Sequence, residues 1–308
     1  MAWDRRNLLS MSQLDPADIE LVLETAGRLR EIGTRPVKKV PTLRGKTVVL
    51  MFYEPSTRTR SSFEVAAKRL SCDTLSISAS TSSIVKGETL LDTLRNLEAM
   101  GPDLVVLRHS MAGAGDMLAR RLGVGVINAG DGMHEHPTQA LLDLMTIAER
   151  KGGIDGLTVA IVGDIAHSRV ARSDIIGLRT MGARVRVFGP PTLLPPEVES
   201  LGVEVAGSRE EAVAGADVVM ALRIQRERLG EQLLPSLREY FELFSIGPQQ
   251  MALAKDDAIL MHPGPVNWGV ELDPALMHWE RSVILYQVEC GVAVRMALLY
   301  LMLAGEGA

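Results

Sequence analysis

The residues from Glu54 to Phe63, Glu-Pro-Ser-Thr-Arg-Thr-Arg-Ser-Ser-Phe, concentrate more reactive chemistry than any other stretch of this chain. Hydroxyls at Ser56, Thr57 and Thr59 alternate with guanidiniums at Arg58 and Arg60. The apolar run before them, Thr47 to Tyr53, reads as a buried strand. Behind them Phe63, Ala66, Ala67 and Leu70 are spaced as one face of a helix. The cluster therefore sits at a strand-to-helix turn. There, unpaired backbone N–H groups and the positive end of the helix dipole face outward. Such a turn can cradle a phosphate without glycine. The plainer alternative is a helix N-cap with two solvated arginines.

Further along, other polar groups stand at the ends of apolar runs. Lys86 beside Gly87 lies in the hydroxyl-rich loop 79–89, where it either reaches a ligand or stays solvated. Arg108-His109 ends the run 103–109 as a basic pair, at the strand terminus where open α/β sheets hold ligands. His136 precedes Pro137 at a helix mouth, and Gln139 lies one turn in. His134, Glu135 and His136 also admit a metal reading, although no partner set accompanies them at ligand spacing. Arg169 and Arg223 each follow a predicted strand. Two arginines converging on one crevice suit a dicarboxylate, and either alone is equally well a surface ion pair. Gly163-Asp164 invites a dinucleotide site, but Gly-x-Gly-x-x-Gly is absent.

The elements that must position these groups alternate regularly. Asp15-Pro16-Ala17-Asp18 opens the first helix with a cap and early acids. Strands are predicted at 47–53, 74–78, 103–109 and 125–132, with helices behind the cradle, from 88 to 100 and from 138 to 150. Lys151-Gly152-Gly153-Ile154-Asp155-Gly156 marks a boundary. A second series then runs through strands at 158–164, 184–190, 203–205, 217–223 and 258–265. Repeated strand–helix units imply parallel sheets covered by helices on both faces. The expected architecture is α/β, with two doubly wound parallel-sheet domains over 1–150 and 151–282. Residues 282–304 form a strongly apolar helix, interrupted by Gln287, Glu289 and Arg295. These polar residues argue for a docked core helix over a membrane span.

Bulk properties narrow the function. The 308 residues are 46% hydrophobic and 23% charged, with a net charge of −5. That profile suits a soluble globular protein and gives no reason to expect nucleic acid or membrane as partner. Cys72 and Cys290 offer neither metal spacing nor a disulfide framework, and the N-terminus lacks an apolar signal core. A reducing, cytoplasmic setting is expected.

Taken in order, Ser-Thr-Arg-Thr-Arg at 56–60, Lys-Gly-Glu-Thr at 86–89, Leu-Arg-His at 107–109 and His-Pro-Thr-Gln at 136–139 resemble the catalytic chain of the aspartate transcarbamoylase family. Arg-Ile-Gln-Arg-Glu-Arg at 223–228 and His-Pro-Gly-Pro at 262–265 extend the resemblance over nearly the whole chain. The last motif separates it from the ornithine branch, which carries His-Cys-Leu-Pro there; an ornithine-type Ser-Met-Gly motif is also missing. The resemblance implies N-carbamoyl-L-aspartate synthesis from carbamoyl phosphate and L-aspartate, without metal or other cofactor, in pyrimidine biosynthesis. It implies that Ser56, Thr57, Arg58 and Thr59 bind the phosphate. Thr59, Arg108 and His136 would contact the carbonyl oxygen and Gln139 the amide side, with Gly264 and Pro265 also lining the carbamoyl phosphate site. Ser82 and Lys86 would reach a neighbouring subunit's site, making the protein an obligate homotrimer. Lys86, Arg169, Arg223 and Gln225 would meet L-aspartate, and Glu54 would pair with Arg169 and Arg228 on domain closure. The terminal helix, 283–308, would return to the first domain. Assembly with regulatory chains or dihydroorotase is left open. Two positions depart from the family pattern: Trp268 replaces an arginine near the aspartate side, and Tyr286 replaces a small or acidic residue.

Overall fold

The computed structural model describes residues 3–78, 90–225 and 236–304. Two compact units divide the chain. The first comprises Met1–Leu142 with Val288–Ala308, and the second Asp143–Gln287.

The first unit is built on β1 (Thr47–Phe52), β2 (Asp73–Ser78), β3 (Leu104–His109) and β4 (Gly125–Asp131). They form one parallel sheet in the order β2-β1-β3-β4. The inner strands β1 and β3 are buried almost throughout, so they read as continuous apolar runs. β2 lies at an edge and is half exposed, which is why Thr74, Ser76 and Ser78 alternate through it. Helices α1 (Pro16–Arg30), α2 (Thr57–Arg69), α3 (Leu90–Glu98) and α4 (Ala114–Ala119) belong to this unit, and α5 (Pro137–Lys151) begins in it. Asp15 caps α1, and the Asp18 side chain accepts in return from the Asp15 backbone.

The second unit carries β5 (Thr158–Val162), β6 (Arg184–Phe188), β7 (Glu204–Val205), β8 (Val218–Ala221) and β9 (Ile259–Met261). They form a parallel sheet in the order β7-β6-β5-β8-β9. Between these strands run α6 (Arg169–Thr180), α7 (Arg209–Val213), α8 (Leu237–Phe244) and α9 (Pro248–Met251).

The last helix, α10 (Ile284–Leu303), is long and apolar enough to cross a bilayer by length and composition alone. Its polar residues instead make specific contacts within the protein. Arg295 is buried and donates to Ser62 Oγ of α2 at 2.8 Å, with its guanidinium 5.2 Å from the Phe63 ring centroid. Gln287 accepts from the His262 N–H at 2.9 Å and donates to Asp143 Oδ1 of α5 at 2.6 Å.

Candidate functional site

In each sheet the strand order reverses once. The first turns between β1 and β3, the second between β5 and β8. Ligands of open α/β sheets gather beyond strand C-termini at such switch points. Most of the described candidate residues cluster there.

In the first unit, β1 runs through Tyr53, Glu54 and Pro55 into α2. Ser56 is the N-cap, extended at φ −159° and ψ 93°, and its Oγ accepts from Thr59 N at 3.4 Å. Thr57 and Arg58 are exposed on the first turn, and Thr59 is buried beneath them. A cavity of about 340 Å³ opens on the β2 side of this mouth, lined by Tyr53, Ser56, Thr57, Arg60 and Ser78. On the other side, Arg108, the penultimate residue of β3, lies opposite Phe52 of β1. Its guanidinium is mostly buried and donates to Glu54 Oε1 at 2.7 Å and to the Ala129 carbonyl at 3.3 Å. Within this unit, then, Glu54 is engaged by Arg108; Arg228, expected to pair with it, lies outside the described residues.

The Ala129 carbonyl reaches Arg108 because β4 carries one extra residue there. Leu107 pairs with Asn128, and His109 with Asp131. Such bulges re-aim groups beside sites. Gly130 takes φ +116° in the bulge. Asn128 Oδ1 accepts from the Gly130 N–H at 2.8 Å, while its Nδ2 donates to Asp131 Oδ1 at 2.8 Å and the Leu9 carbonyl at 2.9 Å.

His136 is buried at the head of α5, and its carbonyl accepts from Gln139 N at 2.9 Å. The preceding residues turn to separate partners. His134 Nδ1 meets Asp131 Oδ2 at 3.1 Å. Glu135 accepts from Met11 N at 2.8 Å and from Ser10 Oγ, which ties this turn to the N-terminal segment. That division disfavours the metal reading of 134–136, and no metal-holding group of three appears among the described residues. The expected basic pair at the end of β3 is also only half basic. Burial lowers the His109 pKa against the opposing pull of Glu54 and Asp131. Its Nδ1 accepts from Met111 N at 3.0 Å, and its ring meets Tyr53 edge-on at 5.5 Å.

In the second unit, β5 leads through Gly163 to Asp164. Gly163 has φ +133°, and a Cβ there would lie 3.0 Å from the Leu222 carbonyl, so the close approach requires glycine. Fully buried Asp164 accepts from His167 N at 3.0 Å and lies 2.9 Å from His167 Nδ1. Ser168 then caps α6 through Ala171 N at 3.1 Å. Arg169 is the first helical residue and is buried. Arg223 and Gln225 follow the adjacent strand β8 and are half exposed. Arg58 and Arg169 thus both stand in the first turns of helices, where a cation opposes the dipole and a bound anion offsets that cost.

Gly264 and Pro265 follow β9. His262 shapes their turn, with Nδ1 accepting from Gly264 N at 2.8 Å and Nε2 donating to Glu271 Oε1 at 3.1 Å. Trp268 lies against the hydrophobic core of this unit, with its backbone paired to Leu272. The Tyr286 hydroxyl donates to Glu149, and the Arg150 guanidinium lies 3.8 Å from its ring centroid. Ser82, Lys86 and Arg228 fall outside the described residues.

The profile of the aspartate/ornithine carbamoyltransferase carbamoyl-P binding domain matches residues 6–149, and that of the Asp/Orn binding domain matches 155–302. The aspartate carbamoyltransferase catalytic subunit of Syntrophotalea carbinolica is 59% identical over 306 residues, 99% of this chain and 98% of that one. That of Geobacter sulfurreducens is 58% identical over 307 residues, 99% of each. Among solved structures, aspartate transcarbamoylase from Trypanosoma cruzi in complex with carbamoyl phosphate and aspartate superposes with a TM-score of 0.87. Its identity is 31%, with 97% of both chains covered. With both halves matched in order and relatives alike from end to end, the chain belongs to the aspartate/ornithine carbamoyltransferase family.

Proposed function

We propose that this protein is an aspartate carbamoyltransferase of de novo pyrimidine biosynthesis. It transfers the carbamoyl group of carbamoyl phosphate to the α-amine of L-aspartate. The observation that carries this reading is the full-length likeness to chains named as aspartate carbamoyltransferase catalytic subunits. In the reaction the amine nitrogen attacks the carbamoyl carbon and the C–O bond to phosphate breaks. The phosphate leaves with the bonding electrons and takes the amine proton.

The residues divide by unit. Ser56, Thr57, Arg58 and Thr59 receive the phosphate at the mouth of α2, with Lys86 as a further cation. Arg108, His136 and the Thr59 hydroxyl stabilise charge growing on the carbonyl oxygen, with His136 as a neutral hydrogen-bond donor. Gln139 takes the carbamoyl amide, and Gly264 and Pro265 are further carbamoyl phosphate residues from the second unit. Arg169, Arg223 and Gln225 take the aspartate carboxylates. The positions of Ser56 to Thr59, Arg108, Arg169, Arg223 and Gln225 at the two switch points support these roles. Much of the acceleration comes from holding the reactants in place, worth roughly 7–11 kcal/mol in well-oriented systems. The active form is a cytoplasmic homotrimer in which Ser82 and Lys86 complete a neighbour's site.

The test is direct: purified protein with carbamoyl phosphate and L-aspartate should release phosphate and carbamoyl aspartate in equal amounts. Citrulline from L-ornithine, with no product from aspartate, would move the chain to the other branch of its family.

A further inference from the structure

Among the described residues, the buried oxygens of the second unit without a hydrogen-bond partner include Tyr240 Oη, Asp164 Oδ2 and Glu271 Oε2. Their residues are 1%, 0% and 2% exposed. Orphaned polar atoms at such depth are costly and rare. They also share one neighbourhood. Tyr240 Oη lies 3.3 Å from where a Gly163 Cβ would stand, one residue before Asp164. Burial raises the phenol pKa, and Glu271 and Asp164 are the charges that raise it further. The phenol therefore keeps its proton and offers one donor. The two carboxylate oxygens offer only acceptors. One water closes this count: it accepts from the phenol and donates once to each carboxylate.

We infer that Tyr240, Asp164 and Glu271 enclose one internal water, and that this cluster makes Tyr240 a positioning residue for the amino-acid acceptor half-site. The inference rests on the function proposed above for its kinetic consequence and on geometry for the rest. Each member anchors a different turn. Asp164, through its other oxygen, holds His167 and so the start of α6 at Arg169. Glu271, through its other oxygen, accepts from Asn267 N at 2.6 Å and from His262, fixing the turn of Gly264 and Pro265. Tyr240 packs with Leu193 and Ile224, the residue between Arg223 and Gln225. Leu193 in turn accepts from Ile165 N and Ala166 N at 3.1 and 2.9 Å. A buried water of three partners is an ordinary structural element. Here it ties together the turns that follow β5, β8 and β9.

The experiment has two arms on the full-length protein. A crystal structure resolving waters should contain one within hydrogen-bond distance of all three oxygens. A dry cluster, or a phenol bonded directly to one carboxylate, overturns the inference. Tyr240→Phe keeps the ring and removes the donor. It should raise the KM for L-aspartate about tenfold and leave the KM for carbamoyl phosphate within twofold. A lowered Tm with both KM values unchanged would mean a merely structural tyrosine and overturn the positioning role. Should that variant not fold, Glu271→Gln puts an amide donor where the water donates and so removes one of the water's two acceptors; it should raise the aspartate KM alike, and an unchanged KM counts against the inference. A wild-type protein inactive with aspartate overturns the proposed function instead, and the diffraction arm then decides the cluster by itself.

Discussion

At the residue scale, Arg58 and Arg108 divide the work differently. Arg58 is exposed at the start of α2, whereas Arg108 is mostly buried and held by Glu54 and a bulged carbonyl. Arg58→Ala should therefore fold normally, with an unchanged Tm. Its kcat should fall by roughly 10²-fold or more, as expected when one preorganised contact to developing charge is lost, about 3 kcal/mol. Steady-state kinetics beside a thermal melt would check both halves. A near-normal rate would remove the phosphate role from the helix mouth. Arg58 and its neighbours were legible in the sequence because a dense polar cluster interrupts an apolar run. Asn128, Glu135, Tyr240 and Glu271 were not. Their partners, such as Leu9 for Asn128 and Ser10 for Glu135, lie far away in the sequence. A single Asn or Glu in a motif does not announce a distant hydrogen bond.

At the scale of elements, the strands were legible wherever burial on both faces made them continuously apolar, as in β1 and β5. The bulge in β4 was invisible, since an extra residue changes pairing without changing composition. Helix pairing was also hidden. Asp143 of α5 and Asp174 of α6 are both about 1% exposed and close enough for their charges to interact. Burial, and then the neighbouring Asp143, push the Asp174 carboxyl well above its usual range. A pKa raised in the folded state makes its stability contribution fully present below the unfolded value, about 3.9, and lost as pH rises toward the folded one. Asp174→Asn cannot ionise. Its Tm should exceed the wild-type value at pH 8 by a few degrees, at roughly 2–4 °C for each kcal/mol regained. The difference should shrink toward pH 4. Calorimetry across that range would check it, and parallel curves for the two proteins would refute the raised Asp174 carboxyl.

At the scale of the whole molecule, the proposed trimer makes a prediction that no self-contained site can meet. Lys86→Ala and Arg58→Ala proteins should each be nearly inactive. Mixed and reassembled, they should recover activity, because some interfaces pair an intact Arg58 with an intact Lys86 from the next chain. Recovery should be a sizeable fraction of the wild-type rate, read in the product assay after subunit exchange has been verified by mass. Exchange without recovery would restore Lys86 to its own chain. The path of the chain carries a separate consequence. The second unit is inserted into the first, which receives its last helical segment only from Val288 onward. On the ribosome, the surface of α2 that Arg295 covers must therefore wait until the entire second unit has been translated. At about 5–20 residues per second that wait lasts on the order of ten seconds. Through it, the place that Arg295 takes beside Ser62 and Phe63 stays unfilled on the nascent chain.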